Sequence, residues 1–275
     1  MLSQMLLRLL QKKSKGELDK METYKIVLTG GPCGGKTDSI DFLSKKLIEQ
    51  DYSVKIVNET ANSLLKLGYM PSVNISTFDF QNLLFKIQFL NEYVSEGKSN
   101  ILLCDRGLFD CKVYIDESDF QKILNLNEVK EKEISSTYDG ALYFRSISYE
   151  YPNEFSKKRI YESPEVGRIR DERCKEIWID KIVPCNYDNL DGFENKQMMI
   201  YLALKKQLEY LEQIKSYKLS DYYDIEFFKY IYSGINEILT KNDISDDIKI
   251  KTRGLIRWQH YYILKSMNQI YLMNY

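Results

Sequence analysis

Residues 26–39 read IVLTGGPCGGKTDS, which is an unusual density of glycine for this chain. Four of its 13 glycines fall within these residues, after three apolar residues and a threonine. Glycine loses more backbone entropy on folding than other residues, so a cluster of glycines needs a conformational or steric reason. The spacing Gly30-x4-Gly35-Lys36-Thr37 provides one. It is typical of a loop whose backbone N–H groups surround a polyphosphate, where a side chain would intrude.

The segments on either side of this loop have the patterns of a strand and a helix. Residues 23–29 are a short β-rich run, and the residues after the loop place four apolar side chains at helical spacing: Ile40, Leu43, Leu47 and Ile48. This order predicts a nucleotide-binding loop with Lys36 projecting into solvent, and the alternative is a tight turn without a ligand. The predicted nucleotide-binding residues of the loop are Gly30, Gly31, Pro32, Cys33, Gly34, Gly35, Lys36, Thr37 and Asp38.

Strand-like and helix-like segments alternate along the chain as far as residue 215. Further strands are predicted over residues 52–58, 100–104, 140–146 and 182–189. Helices are predicted over residues 61–67, 77–97, 163–181 and 192–215. The second of these helices is expected to bury Phe78, Leu84, Ile87, Leu90 and Val94. Alternation of this kind after a phosphate loop predicts an α/β fold with a doubly wound, mainly parallel sheet.

Two carboxylates directly follow predicted strands. Glu59 follows the second strand, and Asp105 follows the apolar residues ILLC of the third, which is the form of a Walker B segment. The carboxyl edge of a parallel sheet would place Asp105 where it can hold Mg²⁺ beside the loop. The alternative for Asp105 is a cap of the next helix. The alternative for Glu59 is a carboxylate that the dipole of a helix N-terminus stabilises.

Arginines concentrate between the last two predicted strands. Arg159 precedes a helix that is predicted to begin after Ser163 as its N-cap, and that helix carries Arg168, Arg170 and Arg173. In small phosphotransferases such a segment forms a lid that excludes water and neutralises the charge of the transferred group. Arg159 and Arg168 are therefore the candidate lid residues. The alternative is a solvated helix face on which the arginines pair with Glu165, Asp171 and Glu172.

The overall composition argues against several classes of protein. Lys plus Arg number 39 and Asp plus Glu number 40, so no strong field attracts the chain to nucleic acid. No apolar run approaches the roughly 20 residues of a membrane span. Five scattered cysteines and a single histidine, His260, disfavour a Cys/His zinc site. The cysteines suit the reduced state of a cytoplasmic compartment.

The two ends of the chain differ from the middle, and we predict three regions: 1–21, 22–215 and 216–275. The first is an amphipathic segment, interpreted as a helix packed on its own domain, a tail before an internal start at Met21, or a membrane-surface or targeting helix. The last contains nine of the 22 tyrosines. Such a segment is too aromatic for a disordered tail, so a helical extension is predicted that packs on the body or forms a protein interface.

Several blocks of the sequence occur in an order that resembles a known family. They are TGGPCGGKT, NETANSLLKLGY, FQNLLFKIQFLNE, DRGLFD, YDGALYF, RIYESPEVGRIRDER and YDNLDGFENK, between about residues 22 and 200. Their order is similar to that of the P-loop AAA-type ATPase and kinase domains related to the NadR ribosylnicotinamide kinase and the TRPL translocation-defect protein. The chain departs from this family at Asp38, and its last 75 residues lack the E-x-E-x-K signature of a CYTH domain.

The resemblance implies a fold of the nucleoside and nucleotide kinase type that binds ATP or GTP with Mg²⁺. It also implies roles for individual residues. Glu59 is the expected general base, Lys36 bridges the β- and γ-phosphates, and Thr37 and Asp105 bind Mg²⁺. Arg106 is expected to contact the acceptor or a phosphate, and Asp110 to fix Arg106 or the acceptor. Asn189, in the last block, is assigned to the nucleotide.

Two functions are compatible with this pattern. The first is Mg²⁺-dependent transfer of a phosphoryl group from ATP, or GTP, to a small hydroxyl-bearing metabolite such as a nucleoside. The second is a switch-like ATPase or GTPase module that binds a protein or a phosphoinositide membrane surface. No N-K-x-D guanine motif occurs in the chain, which favours ATP.

Overall fold

A computed structural model of the chain describes residues 22–158, 162–185, 187–216 and 245–254. Four strands form its centre: β1 (Tyr24–Thr29), β2 (Val54–Val57), β3 (Ile101–Asp105) and β4 (Gly140–Tyr143). They pair in the order β2-β3-β1-β4, and every one of these pairs is parallel. The predicted α/β fold with a mainly parallel sheet is confirmed.

The strands are apolar because helices cover both faces of a parallel sheet. In β1, the side chains of Ile26, Val27 and Leu28 are completely buried, and β3 is buried along its whole length. The edge strand β2 is only partly buried. The central strands β1 and β3 therefore deliver their carboxyl ends to one well-packed edge, where the phosphate loop begins.

The helices lie between and after the strands. They are α1 (Lys36–Ile48), α2 (Thr60–Lys66), α3 (Thr77–Ser95), α4 (Glu117–Leu126), α5 (Glu131–Ser136), α6 (Pro152–Lys158), α7 (Pro164–Trp178) and α8 (Phe193–Ser216). A 3₁₀ helix covers Leu108–Val113. The sequence patterns predict α1, α2, α3, α7 and α8, and the hydroxyl of Ser163 caps α7 as expected by accepting a hydrogen bond from the Val166 N–H. They miss the shorter helices α4, α5 and α6.

Of the strand predicted over residues 182–189, the described residues 182–185 and 187–189 form only a single bridge. Ile182 pairs with Ala141 of β4, and the Val183 N–H donates to the Ala141 carbonyl at 2.9 Å. Pro184 then provides no N–H for the ladder. The carbonyl of Val183 accepts a hydrogen bond from the Tyr187 hydroxyl instead of a strand partner. The prediction of a full fifth strand is therefore wrong.

The face of α3 that packs inward is not the predicted apolar one. Leu90 and Val94 are 38% and 46% exposed, whereas Gln88 and Glu92 are buried. Glu92 accepts hydrogen bonds from Lys25 Nζ and from the Tyr138 hydroxyl. Buried polar groups are stable when they are hydrogen-bonded in this way. The predicted apolar face is therefore wrong at Leu90 and Val94, whereas Phe78 packs against the core.

The predicted stripe of α1 is correct except at its end. Ile40, Leu43 and Leu47 are buried, but Ile48 is 56% exposed. In the described ranges, no helix combines the length and the apolarity that a membrane crossing needs.

Part of the predicted C-terminal extension is described by the structure. Residues 246–254 are helical, Ile250 is buried, and Asp247 forms an ion pair of 3.0 Å with Lys175 of α7. This part of the extension packs on the body of the protein. The segment 1–21 and most of the last 60 residues lie outside the described residues, so the division into three regions remains a prediction.

We predict that Leu43→Ala lowers the free energy of unfolding by about 2–5 kcal/mol, because it leaves a cavity under α1. Ile48→Ala is the matched control on the same helix and is expected to change it by about 0.5 kcal/mol or less. Urea unfolding followed by circular dichroism measures both. Equal losses from the two variants would show that α1 does not pack on the sheet as described.

Candidate active site

The phosphate loop fits tightly against the end of β4. A Cβ atom on Gly30 would lie 2.2 Å from the carbonyl oxygen of Phe144, and one on Gly34 would lie 2.3 Å from the same atom. Gly30 and Gly35 also have φ angles of 125° and 87°, which L side chains rarely adopt. The backbone of Phe144 is thus the steric reason for Gly30 and Gly34, whereas a Cβ atom on Gly31 would meet the side chain of Asp171 and one on Gly35 the ring of Phe193.

Lys36 lies within the loop rather than projecting into solvent. Its Nζ donates hydrogen bonds to the carbonyl oxygens of Gly30 and Gly31, at 3.0 and 2.7 Å. Burial and the positive charge of Arg106 lower the pKa of Lys36 to about 8. The expectation of a solvent-exposed lysine is wrong, because the loop's own carbonyl groups bind the ammonium group.

Thr37 and Asp105 meet beside the loop. The Thr37 hydroxyl donates to Asp105 Oδ2 at 3.0 Å. The other carboxylate oxygen, Oδ1, is buried and has no hydrogen-bond partner among the described residues. Burial and the charge of Glu59 raise the pKa of Asp105. A hydroxyl and an unpaired carboxylate oxygen are ligands that Mg²⁺ accepts, so the residues present fit the predicted metal.

Arg106 connects the loop to Glu59. Its φ angle of 79° is strained for an arginine, and such strain is concentrated at functional sites. The guanidinium NH1 donates to the Gly30 carbonyl at 2.7 Å and to Asp110 Oδ1 at 3.2 Å. Its Nε lies 3.6 Å from Glu59 Oε1. The structure therefore brings together three of the predicted residues, Glu59, Arg106 and Asp110.

Asp110 is buried among donors and holds Arg106 in place. It also accepts hydrogen bonds from the Thr29 hydroxyl at 2.7 Å, the Gly107 N–H at 2.8 Å and the Trp178 indole N–H at 3.2 Å. Of the two roles that the resemblance implies for Asp110, these contacts favour the fixing of Arg106. Trp178, on α7, is a contributor that the sequence patterns did not indicate.

The helix α7 is attached to the loop through a carboxylate. Asp171 is fully buried and accepts hydrogen bonds from the N–H groups of Gly31 and Ser146 and from the Tyr143 hydroxyl. It therefore does not pair with an arginine on a solvated face, as the alternative interpretation required. A buried acid on an otherwise charged helix leaves no signal in the sequence.

Of the two candidate lid arginines, the one that the structure describes, Arg168, makes its contacts away from the loop. Arg168 donates from Nε and NH2 to the Ser148 carbonyl, at 3.1 and 2.9 Å, and lies 3.9 Å from Glu165. Its guanidinium also lies over the ring of Tyr149. Arg159 lies outside the described residues. The lid role of both arginines remains a prediction.

A second buried lysine, Lys196 of α8, also binds the loop. Its Nζ donates to the Gly34 carbonyl at 3.2 Å, the Arg145 carbonyl at 3.0 Å and Asn189 Oδ1 at 2.8 Å. Burial lowers the pKa of Lys196 to about 8. The sequence analysis missed this residue, although it closes the block YDNLDGFENK. Asn189 is thereby placed beside the loop through Lys196.

Two cavities open on different sides of the loop. The first, here the Asn189 cavity, has a volume of about 420 Å³ and is lined by Cys33, Gly34, Gly35, Asp38, Ile147, Tyr151, Asn189, Gly192 and Phe193. The second, here the Glu59 cavity, has a volume of about 390 Å³. Its polar end includes Thr37, Glu59, Arg106 and Asp110, and its wall is formed largely by α2 and α3. One loop therefore has room for two ligands.

Comparisons with known proteins agree with this architecture. Residues 25–189, more than half of the chain, match a family model described as an AAA domain. Two solved structures of the NadR protein, one in complex with NAD and AMP-PNP and one in complex with NR, are each 16% identical over 67% of this chain, with a TM-score of 0.47. The chain spans about half the length of those proteins, 49% and 51%. No curated protein sequence matches it significantly.

The extent of the family match decides the classification. It begins in β1, includes the phosphate loop, and ends at Asn189, so it contains the whole lining of the Glu59 cavity and that of the Asn189 cavity except Gly192 and Phe193. The resemblance seen in the sequence is confirmed, and the chain belongs to the AAA domain family of P-loop proteins.

Proposed function

We propose that the protein is a Mg²⁺-dependent phosphotransferase that transfers the γ-phosphoryl group of ATP to a hydroxyl group of a small metabolite such as a nucleoside. The observation that carries this proposal is the Glu59 cavity, which opens beside Thr37 of the phosphate loop and has Glu59 and Arg106 in its wall. A nucleotide switch needs a phosphate loop but no second small-molecule cavity with a carboxylate at its inner end.

On the nucleotide side, the loop N–H groups and Lys36 bind the triphosphate, and the Asn189 cavity receives the rest of ATP. Lys36 exchanges its hydrogen bonds with the Gly30 and Gly31 carbonyl groups for phosphate oxygens. Thr37 and Asp105 would hold Mg²⁺, which neutralises phosphate charge when it is bound. The unpaired Oδ1 of Asp105 supports this assignment.

On the acceptor side, Glu59 removes the proton of the acceptor hydroxyl as that oxygen forms a bond to the γ-phosphorus. The bond from the γ-phosphorus to its bridging oxygen breaks, and ADP leaves. Arg106 stabilises negative charge on the transferred group, and Asp110 holds Arg106 in position. Because the Arg106 guanidinium lies between the Gly30 carbonyl and Glu59, it links the two ligand sites.

We predict that Glu59→Gln keeps the affinity for ATP within a few-fold and lowers the turnover of phosphate transfer by ~10²-fold or more, since an amide cannot accept the proton. Glu117→Gln is the matched control, because Glu117 also lies at the start of a helix but is not part of either cavity. The measurement is single-turnover transfer from ATP to a panel of nucleosides, with ATP hydrolysis followed in parallel.

Two results would count against this assignment. Unchanged transfer in Glu59→Gln removes Glu59 as the general base. Failure of every acceptor, together with nucleotide-dependent binding to a protein or to phosphoinositide vesicles, favours a switch-like ATPase or GTPase.

We also predict that ATP-analogue binding takes up protons in alkaline solution. A polyanion stabilises the charged form of Lys36, so a lysine with a ligand-free pKa of about 8 gains a proton on binding above that pH. The affinity for AMP-PNP should then fall as the pH rises above 8, by at most roughly tenfold per pH unit for one group. Calorimetry at pH 8.5 in buffers of different ionisation enthalpy measures the proton uptake.

Two variants separate the two buried lysines in this experiment. Lys36→Arg keeps the positive charge but does not titrate in this pH range, so proton uptake on binding should decrease. Lys196→Met tests the contribution of the other lysine, whose pKa is also about 8. Proton uptake that is the same in Lys36→Arg and in the wild type would show that Lys36 is already charged in the free protein.

A further inference from the structure

The Glu59 cavity contains a buried hydrogen-bond acceptor without a partner. Gln81 of α3 lines this cavity and is only 4% exposed. Its Oε1 is buried and makes no hydrogen bond within the part of the chain that the structure describes. Buried polar atoms in native proteins are nearly always hydrogen-bonded, so an unpaired oxygen on a cavity wall indicates a ligand that completes it.

A second glutamine on the same helix shows that an unpaired side-chain oxygen is not a general property of α3. Gln88 also lines the cavity, but its oxygen accepts from the Thr60 hydroxyl, and its nitrogen donates to Glu92 Oε1 at 2.9 Å and to the Arg106 carbonyl at 3.1 Å. The hydrogen bonds of Gln88 are made within the protein. The oxygen of Gln81 is left for the contents of the cavity.

The position of Gln81 defines which part of a ligand it meets. Gln81 precedes Gln88 by seven residues, which is two helical turns, or about 10.5 Å along the axis of α3. Gln88 contacts Arg106 at the reacting end of the cavity, so Gln81 lies toward the other end. A small acceptor that places its hydroxyl beside Glu59 would extend its opposite end toward Gln81.

Much of the cavity wall is apolar. Phe80, Leu84, Leu65 and Pro71 line it, and Phe80 is almost completely buried. Such a wall favours a flat or apolar group in the middle of the ligand, with polar groups at both ends. A nucleoside has this distribution, with ribose hydroxyls at one end and the hydrogen-bonding edge of a base at the other.

We propose that Gln81 is a specificity-determining residue of the acceptor site, and that its Oε1 accepts a hydrogen bond from an N–H group on the base of a nucleoside acceptor. This inference rests on the proposed function, since it names the acceptor class of the same site. A site with a buried polar group discriminates strongly against an analogue that leaves that group unpaired.

The experiment uses pairs of nucleosides that differ in one donor: adenosine with purine riboside, and cytidine with pyrimidin-2-one riboside. Binding to the full chain saturated with AMP-PNP and Mg²⁺ is measured by calorimetry, and single-turnover transfer is measured with ATP. In at least one pair, the member with the amino group should be preferred by about tenfold or more. Gln81→Leu should reduce this preference to less than about threefold, and Gln81→Glu, which keeps acceptor oxygens, should retain it.

Gln121→Leu is the control, because Gln121 is exposed on α4 away from the cavity. Unchanged AMP-PNP affinity and melting temperature show that Gln81→Leu is folded. If nucleosides are phosphorylated but neither pair is discriminated, or if Gln81→Leu discriminates as the wild type does, the assignment of Gln81 is wrong while the proposed function stands. If no nucleoside binds or reacts, both the proposed function and this inference fail.

Discussion

The carbonyl oxygen of Gly30 accepts hydrogen bonds from two cations, Lys36 Nζ at 3.0 Å and Arg106 NH1 at 2.7 Å. One atom of the loop thus fixes both the lysine of the loop and the arginine that lines the Glu59 cavity. Gly30 can occupy this place only without a side chain, because the Phe144 carbonyl lies where its Cβ would be. Burial, and after it the positive charge of Arg106, lower the pKa of Lys36.

The loop depends on two further charged side chains that come from distant helices. Asp171 of α7 accepts from the Gly31 N–H, and Lys196 of α8 donates to the Gly34 carbonyl. Charged groups are rarely buried unless their hydrogen bonds are satisfied, and here the loop and the end of β4 satisfy them. The helices that follow the sheet therefore hold the loop open between its two cavities.

The features that the sequence predicts are those with a local pattern. They include the glycine spacing, the apolar strands, and the carboxylates at strand ends, Glu59 and Asp105. Each of these can be predicted because it depends on neighbouring residues in the chain. The end of the bridged segment after Val183 can also be predicted from the sequence, since Pro184 cannot continue a hydrogen-bonded ladder.

The parts that sequence patterns miss are those that depend on tertiary contacts. Asp171, Lys196 and Gln81 have the residue types of a solvated surface, and only the packing of α3, α7 and α8 buries them. For α3 the inward face carries Gln88 and Glu92, whose hydrogen bonds to distant residues lie beside the apolar packing of Phe85. No periodicity within a single helix contains that information.

We propose that one loop binds a nucleotide and an acceptor at the same time, in adjoining cavities. The most direct test is the affinity of a compound in which adenosine is joined through five phosphates to a second nucleoside, measured by calorimetry with Mg²⁺. If both cavities are used, this compound should bind at least about tenfold more tightly than AMP-PNP, because linked groups bind with a high effective concentration. It should also prevent the binding of free nucleoside. An affinity equal to that of AMP-PNP would show that the two cavities are not occupied together, whether free nucleoside still binds beside the compound or does not bind at all.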